Sequence, residues 1–199
     1  MKFLTRWAVM AGACLLAASA IAQPMTVADV KYEETASVGG STLQLNGAGV
    51  RYKAVFKVYT AGLYLEKKAG TPADVMALKG PKRMSITMLR EIDSTELGKL
   101  FSRSMEDNMD RAAFSRLIPG VLRMSQIFSD HKKLVAGDQF QIDWIPGTGT
   151  IITVKGKQQG EPFTEPEFFN ALLGIWLGNA PADWKLKDAL LGKTAQSPS

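Results

Sequence analysis

The sequence predicts an α+β fold, an antiparallel sheet covered on one face by a layer of helices. Three observations carry that expectation. Strand-like segments come first, helical ones follow, then strands and helices again, without the strict alternation that builds a parallel sheet. Gln139–Ile145 and Thr150–Lys155 answer one another across Pro146-Gly-Thr-Gly149 as an antiparallel hairpin. Hydrophobic residues make up 46% of the chain, enough for one domain of ordinary size to bury a core without disulfides.

The first 22 residues stand apart from that domain. Lys2 and Arg6 give a short basic start, Trp7 to Ala18 an apolar run of twelve, and Ala20-Ile21-Ala22 a small-x-small cleavage signal. Such a run is too short for a membrane span and fits a removed export leader. The expected organisation is therefore a cleaved signal peptide at 1–22, one domain at 23–192 and a flexible tail at 193–199, in a periplasmic or secreted protein. Lipid attachment at Cys14 is not expected, because Ala11 stands where such a signal wants leucine. No later segment reaches transmembrane length.

Once Lys2 and Arg6 are removed, the 24 lysines and arginines become 22, against 19 acidic residues. This mild basic excess is scattered, as in Lys67-Lys68 and Lys132-Lys133, which marks a solvated face and not a nucleic-acid footprint. A single histidine, His131, and no cysteine after Cys14 leave no donor set for zinc or a similar metal. No cofactor is expected.

Taken in order, residues 27–34 predict a short strand and Leu43-Gln-Leu-Asn46 a half-buried one, joined across Val38-Gly-Gly-Ser41. Gly47 and Gly49 remove side chains on either side of Ala48, so that something can approach the backbone or the strand can bulge. A β-branched and aromatic run from Val55 to Leu65 makes the second central strand. Thr71 caps a short helix with Pro72 at its first position, closing by Gly80. Lys82–Arg90 alternates Met84, Ile86 and Met88 with Ser85, Thr87 and Leu89, as a strand paired to the central one would.

Asp93 or Ser94 then caps a helix whose apolar face is Leu97, Leu100, Phe101, Met105 and Met109. A second stripe, Phe114, Leu117, Ile118, Val121, Leu122, Ser125 and Phe128, contains Pro119-Gly120 and predicts a break or kink near Ile118. After the hairpin, Gln158–Phe163 is expected to add a strand. Thr164-x-x-Glu167 reads as a capping box opening a helix with Phe168, Phe169, Leu172, Leu173 and Trp176 inward. Gly178 stops it, and a last short helix ends at Gly192.

Arg51 is the residue whose setting calls for chemistry. An arginine among apolar strand residues needs an anion, supplied by the protein or by a ligand. Asp143 and Glu66 are the protein's candidates.

The string Gly47-Ala-Gly-Val-Arg51, followed by Lys57-Val-Tyr-Thr-Ala-Gly-Leu-Tyr-Leu-Glu66, resembles the chalcone isomerase family, where a GAG-x-R strand leads to a similar second strand. Ala171–Gly178 and Ala180–Gly192 resemble that family's C-terminal helix pair. The resemblance implies a ligand site between the large sheet and the helices. Active members of the family add a phenolate across a conjugated ketone to close a ring. There the arginine holds the anionic oxygen, a lysine lies near, and a threonine and a helical tyrosine hold the water that polarises the ketone.

Carried onto this chain, the arginine is Arg51 and the lysine Lys57. The threonine position is Tyr59, and Thr60 beside it faces the other way along a strand. The late-helix hydroxyl position is Ile175, and no tyrosine follows Tyr64. Non-catalytic relatives bind fatty acids through the arginine. The resemblance therefore implies an exported protein without catalytic residues that holds a small amphipathic acid, such as a fatty acid, with Arg51, Lys57 and Tyr59. Two other readings stand beside it. One is a ring-closing isomerase in which Tyr59 polarises the ketone, and the other an envelope interaction module whose pocket is filled by its own side chains.

Overall fold

The computed structural model describes residues 24–193; the expected leader, with Cys14, and the tail from 194 onward lie outside the described residues. The chain opens with strands β1 (Met25–Val27), β2 (Val30–Tyr32), β3 (Thr35–Val38), β4 (Ser41–Lys53) and β5 (Phe56–Leu65). Helix α1 (Pro72–Ala77), strands β6 (Lys82–Met88) and β7 (Ile92–Asp93), and helices α2 (Ser94–Glu106) and α3 (Arg111–Ser129) follow. Strands β8 (Lys133–Leu134), β9 (Gln139–Ile145), β10 (Gly149–Val154) and β11 (Lys157–Gln158) lead to helices α4 (Pro166–Leu177) and α5 (Trp184–Leu190). No helix among the described residues is long and apolar enough to cross a membrane.

Seven strands form the main sheet in the order β11-β10-β9-β6-β5-β4-β3, antiparallel throughout. The main core lies between this sheet and α2, α3 and α4. Leu63, Met84, Ile86 and Phe140 from the strands meet Phe101, Phe128, Leu172 and Trp176 from the helices there. Edge-to-face ring contacts at 5.4–5.6 Å join Phe101 to Phe128 and Trp176. The expected α+β architecture is the observed one.

The amino-terminal strands differ in detail. Residues 27–34 do not form one strand: β1 and β2 make their own hairpin over Ala28 and Asp29, both at positive φ. The partner of β4 is β3, turned at Gly39-Gly40. The β1–β2 hairpin lies on the sheet face opposite the helices, where Tyr32 joins Leu43, Leu45, Ala48 and Tyr64 in a small second core. Tyr32 Oη donates to Thr60 Oγ1 at 2.8 Å, so Thr60 faces away from the helix layer.

Three helix details also depart from expectation. α3 runs unbroken through Pro119. Pro119 lies on the exposed side of the helix, where the carbonyl it leaves unpaired can reach water, and Gly120 packs against the Phe168 ring. The buried stripe of α3 is Leu117, Val121, Met124, Ile127 and Phe128, while Ile118 and Leu122 face outward. At α4 the N-cap is Glu165, without a side-chain capping bond. Pro166 forces an extended residue immediately before it, which puts Thr164 one position too early for a capping box. Finally, of the expected strand 158–163 only Gln158 is in a strand, as the end of β11, with one isolated bridge from Phe163 to Thr150.

The sheet aims Arg51 through two register shifts. In β4 the pairing skips Asn46, between Leu45 and Gly47. Leu43 and Leu45 therefore face the β1–β2 hairpin, while Gly47 and Gly49 face α5. Asn46 is buried and fixes the bulge, donating to Ala69 O and Leu190 O and accepting from Ala69 N–H. The approach that Gly47 and Gly49 permit is that of α5, whose Ala189 Cβ would stand 2.7 Å from a Cβ on Gly49. The second shift lies between Arg51 and Tyr52, where Arg51 pairs with Tyr59 and Tyr52 with Lys57, leaving Val58 extra.

Candidate functional site

A cavity of about 110 Å³ opens between the end of the β4–β5 pair and the helix layer. Arg51 and Tyr59, directly opposed across the strand pair, form its polar wall. Val58, Ile92, Leu97, Leu100, Phe101 and Ile175 form most of the remainder, with Ser104 and Ala182. A wider outer cleft of about 400 Å³ shares Lys53, Val58, Ile92 and Leu100 with it. This continuity explains Leu100, which the helical pattern assigns to the core and which is 40% exposed.

Neither Asp143 nor Glu66 pairs with Arg51. Asp143 is taken by Arg83, and Glu66 is exposed. The nearest carboxylate is Asp183, whose Oδ2 stands 3.9 Å from the Arg51 guanidinium, too far for a hydrogen bond. Asp183 has other work. Its Oδ2 accepts from Tyr52 N–H at 2.9 Å, and its Oδ1 accepts from Lys185 and Leu186 N–H as the N-cap of α5. Arg51 is thus tethered electrostatically while its N–H donors stay available to the cavity. Its side chain is 21% exposed.

Tyr59 is buried, yet its hydroxyl is only half engaged. Trp176 Nε1–H donates to Tyr59 Oη at 3.0 Å, and the phenolic proton has no acceptor among the described residues. Burial pushes this phenol up to about 12, only partly opposed by the Trp176 hydrogen bond and the Arg51 charge. It is therefore a neutral donor at any ordinary pH. Tyr32 is likewise pushed up to about 12, chiefly by burial.

A tyrosine whose folded pKa lies above its unfolded value contributes stability that is whole below about pH 10 and is lost as pH rises toward about 12. At about pH 11 the loss is about 1 kcal/mol for each of Tyr32 and Tyr59. Urea unfolding repeated between neutral and alkaline pH should show this decline, and Tyr59→Phe should remove about half of it, leaving the share of Tyr32. A pH-independent midpoint across that window would refute it.

Lys57 does not reach the cavity. The extra residue Val58 breaks the alternation, so Val58 and Tyr59 both line the space while Lys57 is exposed. Ile175 stands in the wall at the late-helix position. Sequence reasoning missed Asp183, Ser104, Ile92 and Leu100 as parts of this site. Only Asp183 carried a local signal, as the cap of the last helix.

A family model described as chalcone isomerase-like matches residues 24–192. Among solved structures, a fatty-acid binding protein from Arabidopsis thaliana is similar in fold, with a TM-score of 0.67 at 14% sequence identity. The match covers 85% of this chain and 96% of that one. No curated protein matches the chain by sequence.

Proposed function

The chain belongs to the chalcone isomerase-like family, and from that premise we propose that it binds a small amphipathic acid, such as a fatty acid, without transforming it. One observation carries the reading: Arg51 and the Tyr59 hydroxyl present unspent donors, side by side, to a cavity whose wall is mostly apolar. A carboxylate placed there accepts charge-assisted bonds from Arg51 and one from Tyr59. The apolar chain follows Val58, Ile92 and Leu100 from the inner cavity into the outer cleft. The fold likeness to a fatty-acid binding protein supports this reading. Inner cavity and cleft together are on the scale of small-molecule sites, roughly 300–1,000 Å³.

Ring closure is the competing chemistry. It needs polarising groups around a ketone, and Ser104 is the one side-chain hydroxyl besides Tyr59 in this wall. Residues 1–22 are read as a cleaved leader, which places the domain in the periplasm or outside the cell. The intact mass of the protein recovered from cells is expected to be that of a chain beginning at Gln23, and an unprocessed chain beginning at Met1 would overturn that placement.

Native mass spectrometry of protein purified from cells, with extraction of whatever co-purifies, tests the binding reading. A bound acid is expected, and Arg51→Ala should lose it, its affinity falling roughly ten- to a hundredfold with the charged hydrogen bond. If neither protein carries a ligand and neither takes up added fatty acid, the reading fails, and ring closure on a chalcone becomes the experiment to run.

A further inference from the structure

The turn that carries Arg51 to the cavity ends in an apolar tip that the fold leaves uncovered. Val55 is 82% exposed and Phe56 59%, with Tyr52 beside them at 37%. Trp184, at the start of α5, is 61% exposed and shares a shallow cleft with Tyr52 and Ala54. On the other side of the tip, Phe56 borders the outer cleft that opens onto the ligand cavity. Val55 and Phe56 thus stand at a turn between two clefts, Phe56 on the rim of the outer one and Tyr52 and Trp184 on the rim of the shallow one, where a surface in water gains nothing from them.

The charges around this rim have one sign to spare. Lys53, Lys57, Arg90 and Lys185 make no ion pair among the described residues. Arg90 lies over the Phe56 ring at 5.1 Å, and Lys187 over Trp184 at 4.9 Å. The acids of the same region are engaged. Glu91 pairs with Lys133 and Glu96 with Lys99, while Asp93 and Asp183 cap α2 and α5.

We infer that this rim docks onto an anionic phospholipid surface, with Val55, Phe56 and Trp184 entering the interface and the four free cations meeting lipid phosphates. Aromatic residues with flanking lysines and arginines suit the headgroup boundary of a bilayer. A second copy of the chain is a poorer occupant, because like charges would face each other. Nucleic acid would satisfy the cations and leave Val55 and Phe56 in water. Docking in this pose holds the cavity mouth against the membrane, so an acid passes between bilayer and pocket without crossing water. That purpose rests on the acid-binding reading, whereas the docking itself does not.

The test is co-sedimentation of the mature protein with vesicles, either of phosphatidylcholine alone or of an equal mixture with phosphatidylglycerol. Binding is expected to the mixture and not to neutral vesicles, and it should fade as salt is raised. A Val55→Asp, Phe56→Ser variant should bind roughly tenfold or more weakly, and Lys53→Gln roughly fivefold. Both changes sit at an exposed turn, so circular dichroism should be unaltered. Arg51→Ala should lose the acid and still bind vesicles, which separates failure of the ligand reading from failure of this one. No binding to the mixed vesicles overturns the proposal, as does binding indifferent to the tip variant. Self-association that the tip variant abolishes would overturn it in favour of a dimer.

Discussion

Asp143→Ala is expected to cost about 3 kcal/mol of stability and to leave acid binding by the folded protein unchanged. Arg83 and Asp143 are direct cross-strand partners on β6 and β9, joined by two bonds of 2.7 and 2.6 Å from Nε and Nη2. Their side chains keep only 17% and 9% exposure. The Asp143 hydrogen bond holds the Arg83 guanidinium above its ordinary pKa, and once that partner is gone the arginine still stays charged, because a guanidinium is protonated at any ordinary pH. A charge left half-buried without its partner is the costly state, more than the pair itself is stabilising. Urea unfolding of Asp143→Ala should show the loss, and the double variant Arg83→Met, Asp143→Leu should recover most of it. A single variant within about 0.5 kcal/mol of wild type would contradict this account. Altered acid affinity would mean that Asp143 serves Arg51 after all.

That pairing shows where sequence reading of this chain reached its limit. The alternation of Phe140, Ile142 and Trp144 made β9 legible, because a sheet with one buried face imposes its period on every residue. Which arginine takes Asp143 is a question of register, and register across β6 and β9 leaves no local trace. Lys57 illustrates the same limit within one strand. One unpaired residue, Val58, removes Lys57 from the cavity wall, and nothing in a run of β-branched residues announces a bulge. Arg51 was legible because a cation in apolar surroundings conflicts with its neighbours. The wall around it was not, because Val58, Ile92, Leu100, Ser104, Ile175 and Ala182 come from separate segments, each with an ordinary local pattern. α3 failed differently, since the proline rule is local and helix packing through Gly120 prevailed over it.

Gly47→Ala is expected to lose about 3 kcal/mol of stability and, unlike Asp143→Ala, to weaken acid binding as well. A Cβ at Gly47 would run into the Ala189 carbonyl oxygen, with Leu190 O and Gly192 N each 3.0 Å away. These are backbone atoms at the end of α5, and no rotamer change moves them aside. Nor can β4 retreat, because the buried Asn46 ties its bulge to Leu190 O at 2.7 Å. The helix must lift. Its N-cap, Asp183, holds Tyr52 N–H and tethers Arg51, and the preceding Ala182 is part of the cavity wall. A lifted α5 therefore releases the guanidinium and opens the wall together. Gly62→Ala supplies the contrast, because its Cβ would meet the Tyr32 ring on the opposite face of the sheet. It should destabilise while leaving affinity intact. Urea unfolding and acid titration of the two variants side by side decide the matter. Equal affinity in both would show that α5 does not hold Arg51 in place.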